Sequence, residues 1–192
     1  MRAVSIPLDY VQRGSSLAWA ALAGRQRFEL LAHHPKRDVV DRAGGTRFFY
    51  HAHPVADDPL QEHGHFHLFH EDARGFSHLA ALSLDGQGRP IRWFCTNQWV
   101  TGERWRPASH WRVLVQGFSL QTRGRLAPVA RWLEAMVNLY RNELLGLLYE
   151  RDAIVARMTG SARDREKFFN NRQVHILCSQ PISLQGKVQD LL

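Results

Sequence analysis

An α+β fold, in which an antiparallel β-meander presents a histidine-rich face and packs with N-terminal and C-terminal helices, follows from three features of the sequence. The first is a two-residue period through 46–70 (TRFFYHAHPVADDPLQEHGHFHLFH), 76–85 (FSHLAALSLD) and 91–104 (IRWFCTNQWVTGER), the alternation of half-buried strands. The second is the turn chemistry between those runs: a Pro- and Asp-bearing stretch at 54–62 and GQGRP at 86–90. The third is a change of period after Pro107, where Val129, Trp132, Met136, Tyr140, Leu144 and Leu147 recur every three or four residues, as on one face of a helix.

At 192 residues the chain suits a single domain, 1–192, large enough to bury about 70% of its unfolded surface. Neither a metal nor a disulfide is needed merely to make it fold. Cys95 and Cys178 are read as free thiols of a reducing, cytoplasmic compartment. No run of 18 apolar residues spans a membrane. LAWAALA at 17–23 is too short, and too close to Arg25 and Arg27, to be a signal core. The net charge of +7 invites nucleic acid, but the arginines are scattered and only Lys36, Lys167 and Lys187 are lysines. Without a basic stripe, the composition argues against that partner.

Taken in order, 1–14 carries Pro7 and little pattern, and reads as a flexible arm. Ser15 and Ser16 cap a helix to about Ala32, ended by Pro35 because the residue before a proline avoids helical dihedrals. The adjacent His33 and His34 at that end are read as structural. A short strand at 38–41 precedes GG at 44–45 and the histidine hairpin. The meander occupies 46–104, and 107–192 is mainly helical. Within that second part, one helix runs from Pro128 to Met158 with a break expected near Gly146, Ser161 caps another, 174–179 fits helix or strand, and Ser183 caps a closing helix.

Strand parity decides the site. Arg47, Phe49, His51 and His53 share one face, and His63, His65, His67 and Phe69 share the matching face of the next run. With His53 opposite His63, His51 faces His65 and Phe49 faces His67; a two-residue slip keeps the same face. Opposed side chains start roughly 4.5–5.5 Å apart, so imidazole nitrogens can meet at one ion about 2.0–2.1 Å from each. His51, His53, His65 and His67 are therefore the candidate ligands. His63 is a further candidate, and His78, on a face with Ala80, Leu82 and Leu84, is either a buried histidine or one more ligand. Glu62 offers a carboxylate ligand, and Glu62 or Glu103 a general base. Phe49, Phe69, Trp93 and Trp99 would form apolar walls.

YHAHP at 50–54, EHGHFHLF at 62–69, LSLDGQGRP at 82–90 and TNQWVTGE at 96–103 together resemble a bacterial family of domains of unknown function. The resemblance runs over 17–192 and is strongest between Tyr50 and Glu103. It implies that these positions form one site and brings no reaction with it. A cupin also carries His-x-His on a strand, but here no glutamate stands four or five residues beyond His53.

The function that follows is a metal-binding protein or metalloenzyme using zinc or iron, with a small-molecule substrate. Zinc suits hydrolysis, and ferrous iron suits oxygen chemistry with two histidines and a carboxylate. The alternative is a non-catalytic module whose histidines and aromatic rings line a ligand pocket. The oligomeric state is left open.

Overall fold

The computed structural model describes residues 2–25, 27–52 and 61–191. Its centre is a six-stranded sheet in the order β1-β2-β3-β4-β5-β6, every neighbouring pair antiparallel. The strands are β1 (His34–Asp41), β2 (Thr46–Ala52), β3 (Glu62–Asp72), β4 (Gly75–Asp85), β5 (Pro90–Thr96) and β6 (Ile176–Pro181). The first five form a meander. The sixth returns, after a run of helices, to pair with β5 at Cys95↔Cys178.

The helices are α1 (Arg2–Gln12), α2 (Leu17–Ala21), α3 (Gln98–Thr101), α4 (Ala108–Gln116), α5 (Ala127–Leu139), α6 (Arg141–Met158), α7 (Ala162–Phe169) and α8 (Leu184–Gln189). Residues of α1, α2, α4, α5 and α6 join Phe48, Tyr50, Phe66, Leu68, Leu82 and Trp93 of the sheet in one buried cluster. Phe66 meets the Trp132 ring at 6.1 Å. The core therefore sits between the helices and one face of the sheet, as α+β architecture requires.

Several expected boundaries move. The arm at 1–14 is instead helix α1, with Ala3 fully buried and its carbonyl accepting from Trp132 Nε1 at 3.2 Å. The helix expected to reach Ala32 stops at Ala21, and Ala23 takes φ 53°, a left-handed conformation that a helix cannot contain. β1 begins at His34 rather than at 38. The long helix breaks at Tyr140 (φ −105°, ψ 24°), not at Gly146. β5 ends at Thr96, where Asn97 caps the one-turn α3, so Trp99 is not on a strand. Of the segment 174–179, the strand takes 176 onward and runs on to Pro181, and Ser161 and Ser183 cap α7 and α8 as expected.

Candidate metal centre

The hairpin register is Phe49↔His67 and His51↔His65, the first of the two expected from parity. Gly64 lies where the two strands come closest: a Cβ there would stand 2.0 Å from the His51 carbonyl oxygen and 2.7 Å from the Tyr50 hydroxyl. Only glycine lets β2 and β3 meet in this register. On the face away from the helices, His51, His65 and His67 each bring a ring nitrogen within 4.8 Å of the other two. His51 is half-buried, and His65 and His67 are buried. His53 lies outside the described residues.

Two bulges complete the face. The pairing Glu62↔Asp85 followed by Gly64↔Leu84 leaves His63 as an extra residue in β3. An extra residue reverses the alternation, so Glu62 comes onto the histidine face and His63 leaves it. His63 instead takes Tyr50 Oη at 2.8 Å and packs edge-on against Phe28 at 4.9 Å. It is not a ligand candidate here, and burial lowers its pKa. A second bulge lies between Leu68↔Ala80 and Phe69↔His78, where Leu79 is the extra residue. Leu79 and Ala80 both enter the helix-side core, and His78 turns to the histidine face.

These groups form a continuous hydrogen-bonded row. Arg92 Nη2 and Ser83 Oγ donate to Glu62 Oε2 at 2.8 and 2.7 Å, and Glu62 Oε1 lies 2.6 Å from His65 Nδ1. His65 Nε2 is 2.8 Å from His67 Nε2, His67 Nδ1 is 3.0 Å from His78 Nε2, and His78 Nδ1 is 3.2 Å from Thr96 Oγ1. Around the row stand Phe49, Phe69 and Phe94, the last edge-on to His65 at 4.9 Å. His33 stacks on Phe49 at 3.7 Å and approaches His51 to 5.0 Å, while Asp38 holds its Nδ1 at 2.7 Å.

Burial sets the charges. Burial alone would raise the Glu62 carboxyl, but its hydrogen bond to His65 and the electrostatic attraction of that ring, with bonds from Ser83 and Arg92, outweigh it and hold the group at about 2. Glu62 is thus a carboxylate that orients His65, and too weak a base to take a proton at neutral pH. Burial, reinforced by His65, His78, His51 and His33, keeps His67 well below the ordinary histidine value. Burial, then the Arg151 charge and His65, brings His78 down to about 3. Both rings are neutral, the state a metal needs.

The remaining candidates stand apart. Trp93 pairs with Leu82 and belongs to the helix-side core, because the β5 residues on the histidine face are Arg92, Phe94 and Thr96. Trp99 sits on α3, donates to the Val174 carbonyl at 2.9 Å and packs on His175. Glu103 is buried on the turn beyond α3, where the Thr101 hydroxyl donates to its carboxyl oxygen. Burial pushes it up to about 8 against its own backbone hydrogen bond and Arg151. A cavity of about 620 Å³ lies between α1, the β4–β5 turn and α8, and no histidine lines it.

Strand parity in the sequence does not point to Ser83, Arg92, Phe94, Thr96 or His33. The first four lie one strand phase away from the residues that uninterrupted alternation places with the histidines. His33 carried no signal beyond its proximity to the hairpin.

Fold and site define a class: an α+β domain whose six-stranded antiparallel sheet carries helices on one face and a buried histidine cluster on the other. Within that class the chain belongs to a family described as a domain of unknown function (DUF6969), whose model matches residues 2–182. The match reaches back over α1, which the sequence resemblance left out. No curated protein and no solved structure matches the chain.

Proposed function

We propose that the protein binds one zinc ion through His51, His65 and His67 and is a metalloenzyme acting on a small molecule. The observation that carries this is the convergence of three ring nitrogens within 4.8 Å, with Glu62 fixing His65 from behind at 2.6 Å. Three imidazoles with a carboxylate behind one of them are the donor set of catalytic zinc, which keeps its fourth position for water or substrate. Iron of the two-histidine-one-carboxylate kind fits less well, because both Glu62 oxygens are engaged by His65, Ser83 and Arg92. An ion bonded at about 2.0–2.1 Å needs nitrogens roughly 3.3 Å apart. It would therefore replace the 2.8 Å contact between His65 and His67 and draw His51 in.

The buried free thiols Cys95 and Cys178 support a reducing, cytoplasmic setting. No helix among the described residues is long and apolar enough to cross a membrane. The test is elemental analysis and the absorption spectrum of untagged protein expressed with ample metal and purified without a nickel column. Near-stoichiometric zinc without a visible band is expected. Absence of any transition metal would sink the proposal, and stoichiometric iron would replace zinc in it.

A further inference from the structure

We propose that His78 and Thr96 form a hydrogen-bond relay that reverses direction when a metal ion enters the His51–His65–His67 site. His78 is then the positioning residue that lets His67 offer Nε2 to the ion. This rests on the metal reading above, and adds to it a residue that is not a ligand and a measurable change inside two buried rings.

In a row of neutral imidazoles each contact needs one N–H and one lone pair. Without an ion, the Glu62 carboxylate accepts from His65 Nδ1–H at 2.6 Å, so His65 Nε2 is unprotonated. The 2.8 Å contact then requires His67 to donate from Nε2. That leaves His67 Nδ1 as an acceptor, so His78 donates from Nε2 across 3.0 Å. His78 Nδ1 in turn accepts from the Thr96 hydroxyl at 3.2 Å. With the rings neutral, only this direction satisfies every link. His67 and His78 are 1% and 4% exposed, so bulk water does not offer them other partners.

An ion held by His65 and His67 needs a lone pair on Nε2 of both. His65 already presents one. His67 does not, and its proton must move from Nε2 to Nδ1. There it meets His78 Nε2, which has to become an acceptor. The His78 proton moves to Nδ1 and is donated to Thr96 Oγ1, whose hydroxyl turns from donor to acceptor. Two N–H protons change ring position, and none is gained or lost. The bulge at Leu79, which brings His78 to this face, is thereby part of the site. Without it, the metal-bound form would leave a buried His67 Nδ1–H facing no acceptor, a desolvated donor of the kind proteins avoid.

The test is two-bond ¹H–¹⁵N correlation NMR on protein labelled at histidine. Spectra are taken at pH 8, above the ordinary histidine range near 6.5, without metal and with one equivalent of zinc. The relay predicts that His65 stays Nδ1–H in both, while His67 and His78 change together from Nε2–H to Nδ1–H. Zinc bound with His78 still Nε2–H overturns the relay and leaves the metal reading standing. Failure of zinc to bind at all sinks both. A variant pair adds a second readout. His78→Leu, which cannot accept from His67, is expected to lower zinc affinity about 10–100-fold, and His78→Gln, whose amide oxygen can accept, to recover most of that. Equal losses in the two variants would mean that His78 acts only by filling space.

Discussion

On the helix side of the sheet, Phe48, Phe66, Leu68, Leu82 and Trp93 are sealed against Trp111, Trp132 and Leu144 in an almost wholly apolar cluster. On the opposite side, the alternate residues of the same strands are Phe49, His65, His67, Ser83 and Phe94, joined by Glu62 and His78 at the two bulges. Both sides are buried, but they are buried by different physics. The helix side gains from removing apolar surface from water. The histidine side places polar rings in a low-dielectric setting, which is tolerable only where they are partnered. Each link of the row from Arg92 to Thr96 is made, over 2.6 to 3.2 Å. An apolar face would have served stability better, so the polar row points to a task other than folding.

The largest expected effect belongs to the helix side. Phe66→Ala removes a fully buried ring in contact with Tyr50 and Trp132. It should lower unfolding free energy by about 3–5 kcal/mol, read by urea denaturation. A loss comparable to that of a surface substitution would show that the helices do not carry the fold.

Acid should act on the other side. His67 and His78 are neutral when folded, with pKa values well below 6.5 and about 3, and they take up protons near 6.5 when unfolded. A depressed histidine contributes stability above its unfolded pKa and loses it as pH falls toward the folded one. The metal-free protein should therefore lose about 1.4 kcal/mol per pH unit per histidine on descending from 6.5. Glu62, held at about 2 against 4.5, loses stability in the same direction below 4.5. Unfolding free energy that stays flat from pH 6.5 to 5 would contradict the burial of these rings.

Glu103 has the opposite sign. Its carboxyl is raised to about 8 from 4.5, so the folded protein favours the protonated acid, and stability falls as pH rises from 4.5 to 8. Glu103→Gln keeps a group that can accept from Thr101 and removes this slope. It should match the parent near pH 4.5 and exceed it by up to about 4 kcal/mol at pH 8, measured by the same denaturation series.

The smallest effect is a control on the two faces. His70 lies in the same strand as His65 but faces Trp111 and the Gly45 turn. His70→Ala should change zinc affinity by less than the roughly tenfold lower bound of a group supporting a ligand. A loss as large as that of His51→Ala would mean that the two faces are not separate.

The sequence showed the faces of β2 and β3 and their register, because Phe49, His51, His65 and His67 alternate without interruption. It did not show where alternation fails. His63 and Leu79 are the extra residues of the two bulges, and nothing in EHGHFH or FSHLAAL marks them. A bulge is set by how neighbouring strands fit, not by local composition. That one-residue phase change moved Glu62 and His78 onto the site and His63 off it. Trp93 and Trp99 were misplaced for a related reason. Their alternation continues through 91–104 as if in one strand, whereas Asn97 caps a helical turn after Thr96. The break at Tyr140 was equally hidden, since the apolar stripe continues across it from Met136 to Leu144.

Zinc K-edge X-ray absorption, on protein loaded with one equivalent and on its His65→Ala variant, tests the central claim most directly. The account predicts imidazole nitrogens at about 2.0–2.1 Å, three in the parent and fewer in the variant, with affinity lowered by orders of magnitude and the helical circular dichroism retained. Sulfur scattering near 2.3 Å would place the ion at Cys95 and Cys178 instead. An imidazole shell unchanged in His65→Ala would contradict the three-histidine centre outright.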